Sequence, residues 1–381
     1  MLTMMAKYAI AVIAVLISIA RLPAAEIITL GPEVVPWGVS GDGSTVVGEN
    51  GGAAFRWTRS TGMAPLGISG VARDASFDGS VIVGAGFDRL TDDSEAFRWT
   101  ASTGAVTLGD LPGEPFSSQF RGVSADGSVA VGRGNFQLRP GSPATGEAVR
   151  WTEATRMVGL GDLPGGIFLS EATAVSADGS VVAGLSQGGP TYNAFIWTQA
   201  MGMVPLSTRE SSAIGISANG RVVVGQGLGS EPFRWTQETG MVGLGYLPGI
   251  PSGAALAVSA DGSVVVGSSG FEAFIWTEGT GMQSLTTFLS DLGADVTGVD
   301  LNTATAISDD GRVIAGHGRF ILGNEQRSGR GWVAFVPEIP EPPTYLLGLL
   351  CLAMLCGVRA RGALRHRTKE ASFTMPHRTS T

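Results

Sequence analysis

Residues 26–340 contain no cysteine, no lysine and one histidine, His317; both cysteines of the chain, Cys351 and Cys356, lie beyond them. Disulfides therefore cannot stabilise this region, and it offers no His/Cys/carboxylate set at metal-ligand spacing. Ser-His-Asp chemistry would have to use His317, which we expect at the surface after a short strand. We accordingly assign no catalytic, cofactor-binding or metal-ligating residue, and predict that the protein is not an enzyme.

Positive charge is also scarce in this region. Residues 26–340 hold 17 arginines and 31 acidic residues, a net charge of −14. Phosphate backbones repel a surface this acidic, which argues against nucleic acid as a partner. Helical patterning is equally sparse, because no segment from 26 to 337 repeats its apolar residues at a period of about 3.6 for long enough to form a substantial helix.

The sequence is rich in one repeated phrase. Ser-Ala-Asp-Gly-Ser-Val, or a close variant, occurs seven times at intervals of 36 to 52 residues. The phrase serines, which number repeats 1 to 7, are Ser40, Ser76, Ser124, Ser176, Ser217, Ser259 and Ser308. Units of this length are typical of propellers and solenoids.

Each repeat has the pattern of four short strands. In repeat 4, β-branched and aromatic residues cluster at 173–176, 180–184, 194–198 and 203–206, with Gly, Asp and Ser between them. Asp-Gly separates the first two strands in six repeats, and Asn219-Gly220 does so in repeat 5. These pairs favour tight hairpins. The alternative is a calcium loop, but that would need several converging oxygen ligands, and each repeat offers one carboxylate.

The third strand carries an aromatic pair with a variable residue between its members. Phe55 and Trp57 share one face of the strand in repeat 1, and Arg56 points to the other. The middle slot holds Arg56, Arg98, Arg150 or Arg234 in four repeats, and Ile196, Ile275 or Val336 in others. Because arginine exchanges with aliphatic residues, we interpret it as a stem between sheets whose head reaches solvent.

The two ends of the repeat region complement each other. Repeats 1 to 6 have a fourth strand, whereas repeat 7 stops after residues 334–336. The segment Ile27-Ile28-Thr29-Leu30-Gly31 has the fourth-strand pattern and precedes repeat 1. Pairing it with the end of repeat 7 would remove an exposed edge. We predict an all-β fold over residues 26–337, a seven-bladed β-propeller of four-stranded blades whose last blade is closed by residues 27–31.

A few residues break the repeat on the first, innermost strand. One slot of that strand is Gly or Ala in six repeats, but it is Asp74 in repeat 2, beside Arg73. Trp37 and Arg121 occupy the adjoining slot in repeats 1 and 3. These four residues are our candidates for ligand contacts at one mouth of a central channel. The favoured alternative is a buried ion pair that closes the ring.

The N-terminal residues 1–25 resemble a secretory signal peptide. Lys7 is followed by an apolar run and by small residues at Ala20 and Ala25. We place cleavage at Ala25, with Ala20 as the second choice. The alternative is an uncleaved membrane anchor.

The C-terminal residues fall into three parts. Residues 338–343 form a proline-rich linker that contains Pro340-Glu341-Pro342, and 344–358 form an apolar segment expected to be a short helix. The segment is shorter than the roughly 20 residues of a comfortable transmembrane helix. The basic tail, 359–381, contains Arg359 and Arg361, which predicts that it stays cytoplasmic.

Two parts of the chain resemble known families. Pro-Glu-Pro, a short apolar segment and an arginine cluster, from Pro340 to Arg367, resemble the PEP-CTERM sorting signal. That resemblance implies an exosortase-type sorting protease as partner and transient membrane anchoring. Leu-Gly-Asp-Leu-Pro-Gly-Gly, Val-Ser-Ala-Asp-Gly-Ser-Val-Val and Ala-Phe-Ile-Trp-Thr, within about residues 27–337, resemble the bacterial extracellular HAF repeat. That family implies a location and a repeat type, but no reaction.

These features together predict a protein exported across the inner membrane to the cell surface or extracellular matrix. We expect a non-enzymatic scaffold for binding or assembly, with exopolysaccharide or other surface glycans as partners. The alternative is a carbohydrate-active enzyme, a hydrolase or lyase, that uses carboxylates at the channel.

Overall fold

A computed structural model describes residues 24–87, 93–112, 117–137, 145–249, 251–322 and 325–337. The described part is all-β, with one short α-helix, α1 (Leu285–Asp291), and one 3-10 turn (Leu228–Ser230). No helix in these ranges is long and apolar enough to cross a membrane. The predicted signal sequence up to residue 23, the sorting motif Pro340-Glu341-Pro342, the segment 344–358, and the tail with Arg359 and Arg361 lie outside the described residues.

The strands follow the repeats. In chain order they are β1 (Glu26–Gly31), β2 (Val34–Val39), β3 (Thr45–Asn50), β4 (Ala53–Thr58), β5 (Gly62–Ala75), β6 (Val81–Phe87), β7 (Ser94–Thr100), β8 (Gly104–Thr107), β9 (Gln119–Val123), β10 (Val129–Gln137), β11 (Thr145–Thr152), β12 (Arg156–Gly159), β13 (Ser170–Val175) and β14 (Val181–Ser186). The remaining strands are β15 (Asn193–Thr198), β16 (Gly202–Pro205), β17 (Ser211–Ile216), β18 (Val222–Gly227), β19 (Pro232–Thr236), β20 (Gly240–Gly243), β21 (Gly253–Val258), β22 (Val264–Ser269), β23 (Glu272–Thr277), β24 (Gly281–Ser284), β25 (Thr303–Ile307), β26 (Val313–Leu322) and β27 (Glu325–Phe335).

The described strands form antiparallel sheets that follow the order of the repeats. Repeats 3, 4, 5 and 6 give four-stranded sheets, β9 to β12, β13 to β16, β17 to β20 and β21 to β24. Repeats 1 and 2 share one seven-stranded sheet, β2 to β8, because β5 runs from the last strand of repeat 1 into the first strand of repeat 2. This is a propeller-like fold.

The N-terminal strand pairs with the end of repeat 7. The sheet order there is β1-β27-β26-β25, and β1 lies antiparallel to β27. Ile27 is opposite Ala334, and Ile28 is opposite Val333. The strand thus joins the two ends of the repeat region, which confirms the predicted pairing.

The register of the third strand in repeat 7 differs from the register predicted from the repeat pattern. Trp332 lies opposite Gly316, in the slot that Phe195 holds opposite a glycine in repeat 4. Placing Val336 in the arginine slot was therefore wrong, and Val333 fills that slot. Trp332 is almost fully buried, so the bulkiest aromatic side chain of the strand sets the register.

The Asp-Gly turns are held by side-chain hydrogen bonds. In repeat 4, the Ser176 hydroxyl donates to Asp178 Oδ1 (2.7 Å) and accepts from the Val181 N–H (3.0 Å). The Ser180 N–H donates to the same carboxylate oxygen (3.0 Å). The side-chain oxygen of Asn219 makes the corresponding bonds in repeat 5. An amide can replace the carboxylate, so these residues act as turn acceptors.

Asp178→Asn is expected to cost less than about 1 kcal/mol of stability at pH 7. The Ser176 hydrogen bond is the largest of the effects that lower the pKa of Asp178. A lowered native-state pKa stabilises the fold above the unfolded value of 3.8, and this contribution is lost as the pH falls through the native value. Urea denaturation should show a larger difference between the variant and the wild type at pH 7 than at pH 3. Stabilisation by calcium that the variant abolishes would contradict a turn role.

The hairpin between the third and fourth strands contains an unusual residue in repeat 3. Arg156 has a φ of 57°, where Gly62, Gly202 and Gly240 stand in other repeats with φ between 66° and 69°. The left-handed backbone conformation is about 1–2 kcal/mol less favourable than the right-handed one for an L-residue, and the difference is smaller for glycine.

We expect Arg156→Gly to stabilise the protein by about 0.5–1 kcal/mol, because glycine adopts this backbone conformation without strain. The gain is smaller than the strain itself because glycine also has greater conformational freedom in the unfolded chain. The free energy of unfolding in urea measures it. Arg156→Ala should give no comparable gain, and a destabilised Arg156→Gly variant would contradict the prediction.

The third-strand arginines connect neighbouring sheets. Arg234 Nε donates to the Gly262 carbonyl of the next repeat (3.3 Å), and its guanidinium lies 6.0 Å from the ring of Trp276. Arg56 lies 5.7 Å from the ring of Trp99 in the same way. The head groups therefore contact the following sheet, and the side chains of both arginines remain partly exposed.

A circle of main-chain hydrogen bonds links the seven described turns. Its members are the residues that follow the phrase serines: Gly41, Phe77, Ala125, Ala177, Ala218, Ala260 and Asp309. From Phe77 onward each N–H donates to the next repeat, and the Asp309 N–H donates to the Gly41 carbonyl (2.9 Å). The Asp42 N–H donates to the Phe77 carbonyl (2.8 Å), and this hydrogen bond completes the circle. The innermost strands thus stand around one axis.

Candidate ligand site at the channel mouth

Two cavities lie at successive levels along the innermost strands. The wide cavity, about 380 Å³, is lined by the residues three before each phrase serine: Trp37, Arg73, Arg121, Thr173, Ile214, Leu256 and Thr305. The narrow cavity, about 150 Å³, lies near the circle of hydrogen bonds, and Asp74 and Asp309 line it. The structure therefore brings Trp37, Arg73 and Arg121 together and places Asp74 at the other cavity, which corrects their assignment to one mouth.

Trp37 positions Arg73 in the wide cavity. The guanidinium carbon lies 4.4 Å from the centre of the Trp37 ring, a cation–π contact. Burial, and then repulsion from Arg121, lower the pKa of Arg73 to about 10. Arg73 Nε is buried and has no hydrogen-bond partner among the described residues.

His317 supports this arrangement from the seventh repeat. Its ring meets that of Trp37 edge-on, with the centroids 6.3 Å apart. The side chain is partly buried, and desolvation lowers its pKa. The expected surface position was therefore wrong. Trp37 is held between Arg73 and His317.

Glu171 is the acidic residue that sequence reasoning missed. Its carboxylate accepts from Arg121 Nε (2.6 Å) and from a terminal nitrogen of Arg133 (3.2 Å). The Glu171 side chain is 11% exposed, so the carboxylate depends on these partners. A partly buried ion pair thus exists at the channel. Its sequence signal was a charge two positions before Thr173, the counterpart of Arg121 in repeat 4, where repeats 1, 2 and 5 have Val35, Val71 and Ser212.

Asp74 makes a different set of contacts. Its carboxylate accepts the Ala75 N–H (2.8 Å) and the Val123 N–H of the next repeat (2.9 Å). Burial raises its pKa to about 7, and Asp309 adds to the rise. No arginine lies within ion-pair distance of Asp74 in the described part of the chain. Asp74 therefore links two innermost strands.

Asp74→Ala is expected to flatten the pH dependence of stability. Because the native-state pKa of Asp74 is raised, its contribution is most favourable below the unfolded value of 3.8 and declines as the pH rises towards 7. Alanine occupies this slot in repeats 4, 6 and 7. The variant should gain roughly 1–3 kcal/mol relative to the wild type between pH 5 and pH 8. The free energy of unfolding of both proteins, measured in urea across this pH range, tests the prediction. A difference between variant and wild type that does not change with pH would contradict it.

The described residues that line the wide cavity include no pair of facing carboxylates. Glycoside hydrolysis by two carboxylates needs them about 5–10 Å apart across the bond. Glu171 is the one carboxylate among the described residues that line the wide cavity, and two arginines engage it. The described residues also contain no group of three or more potential metal ligands.

Aromatic side chains are exposed at the same end of the sheets. Phe87, Phe168, Tyr192 and Phe271 are between 37% and 60% exposed. Phe87 ends a second strand, Phe168 lies before a first strand, and Tyr192 and Phe271 lie between a second and a third strand. All of these positions are at the end at which the innermost strands begin. Exposed aromatic rings offer flat apolar surfaces that sugar rings can contact. They give this face a second feature suited to ligand binding.

Comparisons with known proteins bear on the fold alone. No protein-family model matches this chain, and no curated protein matches it. An oligogalacturonate lyase from Vibrio parahaemolyticus is similar in structure, with a TM-score of 0.52 and 11% sequence identity over 84% of this chain and 98% of that chain. That lyase is a propeller, which agrees with the propeller-like arrangement of sheets.

Proposed function

We propose that this chain is a bacterial cell-surface or matrix protein that binds an extracellular glycan at the wide cavity, without catalysing a reaction. The observation that carries the proposal is Arg73, held against Trp37 in a cavity of about 380 Å³. Specific ligand sites commonly measure about 300–1,000 Å³ and contain a few well-placed polar groups. The exposed aromatic residues at the same end extend the surface available to an oligosaccharide.

The proposal includes a seven-bladed propeller. The seven-membered circle of turn hydrogen bonds and the pairing of β1 with β27 support this number. β5 would then belong to two blades, as the outer strand of the first and the inner strand of the second. A closed ring places one residue from every blade around the wide cavity.

We further propose export by the signal sequence and sorting by an exosortase-type protease through the PEP-CTERM-like segment. Ala25 is buried, and its N–H donates to the Leu292 carbonyl (2.9 Å). Cleavage after Ala25 would remove this contact, whereas cleavage after Ala20 would retain it. Mass spectrometry of the exported protein would identify the processed ends.

Binding of the mature protein to an array of bacterial and plant oligosaccharides tests the proposed function. We expect saturable binding that Trp37→Ala and Arg73→Gln weaken, while both variants keep the circular dichroism spectrum of the wild type. Exposed Arg221, in the turn of repeat 5, provides the control variant Arg221→Gln. If the wild-type protein binds no saccharide, the proposed function is wrong.

A second candidate is a carbohydrate-active enzyme. The likeness in fold to an oligogalacturonate lyase and the channel carboxylates Glu171 and Asp74 favour it. Incubation with oligogalacturonate, followed by ultraviolet absorbance for unsaturated products and by mass spectrometry, tests this candidate. Turnover that is lost in Glu171→Gln or Asp74→Ala would replace the binding proposal with the enzymatic one.

A further inference from the structure

The wide cavity has a charge opposite to that of its surroundings. Arg73 and Arg121 line it, and Arg133 reaches its acidic residue Glu171 from the neighbouring strand. Glu49 adds an attraction to Arg73 without an ion-pair contact among the described residues. Three arginines thus face two glutamates, in a region whose net charge is −14. Such a local excess of positive charge attracts anions.

The ion-pair arrangement leaves Arg73 available to a ligand. Glu171 is engaged by Arg121 on one oxygen and by Arg133 on the other, at 2.6 Å and 3.2 Å. Arg73 instead has Trp37 beside its guanidinium and a like charge, Arg121, that lowers its pKa. A partly buried guanidinium without a carboxylate within ion-pair distance is costly. An anion that enters the cavity would reduce this cost.

We propose that the wide cavity binds the carboxylate of an acidic saccharide, such as a uronate residue, and that Arg73 receives it. This inference rests on the proposed function, because it specifies the chemical class of the glycan. A carboxylate matches the planar donor set of a guanidinium. Trp37 fixes the plane of Arg73 before binding, which lowers the entropic cost of ordering a long side chain.

Matched saccharides separate this inference from the proposed function. Calorimetric titration would compare an oligoglucuronate with the same oligosaccharide after reduction of its carboxyl groups. We expect the acidic form to bind at least tenfold more tightly, and its affinity to fall with added salt. Equal affinity for the two forms would overturn the inference and leave glycan binding intact. Binding of neither form, together with an empty saccharide array, would overturn both.

A sulfated oligosaccharide of the same length distinguishes the two common sources of negative charge on a glycan. Because a sulfate ester is a much weaker base than a carboxylate, its oxygens accept hydrogen bonds from a guanidinium less strongly, and we expect it to bind more weakly. Tighter binding of the sulfated form would overturn the assignment to a carboxylate.

Variants at Arg73 connect the effect to one side chain. Arg73→Gln should weaken binding of the acidic form at least tenfold and weaken binding of the reduced form much less. Arg73→Lys, which keeps the charge without the planar donors, should lose less, and Arg221→Gln should have no effect. Melting temperatures of all variants identify any that fail to fold. Wild-type affinity of folded Arg73→Gln, or of folded Arg73→Lys if the first does not fold, would overturn the role of Arg73.

Discussion

Ile28→Pro is expected to lower the free energy of unfolding by about 3 kcal/mol or more, because it breaks the pairing that closes the repeats. Ile28 lies opposite Val333 in β27 and packs against the apolar cluster between repeats 7 and 1. The slot after it, Thr29, corresponds to Pro205 in repeat 4. Because proline has no N–H, the slot of Thr29 does not need to donate a hydrogen bond to the neighbouring strand. The N–H groups that do donate therefore belong to the alternate residues of this strand, which include Ile28.

The repeats supply matched controls for this variant. Thr29→Pro should be nearly neutral, because Pro65 and Pro205 occupy the same slot in repeats 1 and 4. Ile28→Ala measures the part of the effect that comes from the side chain. Val204→Pro places the same backbone defect in the corresponding slot of repeat 4. There the fourth strand is covalently connected to the third strand before it and to repeat 5 after it, whereas β1 has no covalent connection to β27 within the repeat.

Urea denaturation and limited proteolysis of these variants measure the role of closure. We expect Ile28→Pro to be less stable than Val204→Pro and to be cleaved near β27, because an unpaired strand edge is exposed. Equal destabilisation of the two variants, after subtraction of the side-chain effect, would show that the terminal pairing contributes no more than any other outer strand.

The sequence predicted those parts of the fold that recur. Strand order, the Asp-Gly turns and the pairing of residues 27–31 were predictable because each depends on local turn chemistry and alternation. The fourth strand of repeat 6 is followed directly by a helix that was not predicted, since β24 ends at Ser284 and α1 begins at Leu285. Ser284 accepts the Thr287 N–H and caps that helix, which is a local signal that the repeat pattern obscured.

The candidate site was harder to predict because it depends on contacts between repeats. Arg73 and Asp74 are adjacent in sequence, yet their side chains leave an innermost strand at different levels and line different cavities. Arg121 and Glu171 are 50 residues apart and meet only when two innermost strands stand side by side. Substitutions that break a repeat indicated where to look, but the partner of each one follows from the closed arrangement of the sheets.

Glu171→Gln is expected to destabilise the protein by about 2–3 kcal/mol. The substitution removes the carboxylate that Arg121 and Arg133 share, and both guanidinium groups remain partly buried, 33% and 18% exposed. Removal of one partner from a fully buried ion pair costs roughly 3–5 kcal/mol. Because Arg121 still reaches solvent, the expected cost lies below that range. The double variant Arg121→Gln/Glu171→Gln should recover part of the lost stability. If it recovers none, the two residues are not coupled.

The same variant should bind an acidic saccharide more tightly, although it is less stable. Replacing Glu171 by glutamine raises the net charge around the wide cavity by one and frees Arg121 to contact the ligand, so we expect affinity for an oligoglucuronate to rise several-fold at low salt. The carboxyl-reduced oligosaccharide should show no such gain. Stability and affinity would then change in opposite directions, which a loss of folded protein cannot produce. If affinity for the acidic form falls along with stability, Glu171 contacts the ligand itself, and the cavity does not recognise the ligand through its excess positive charge.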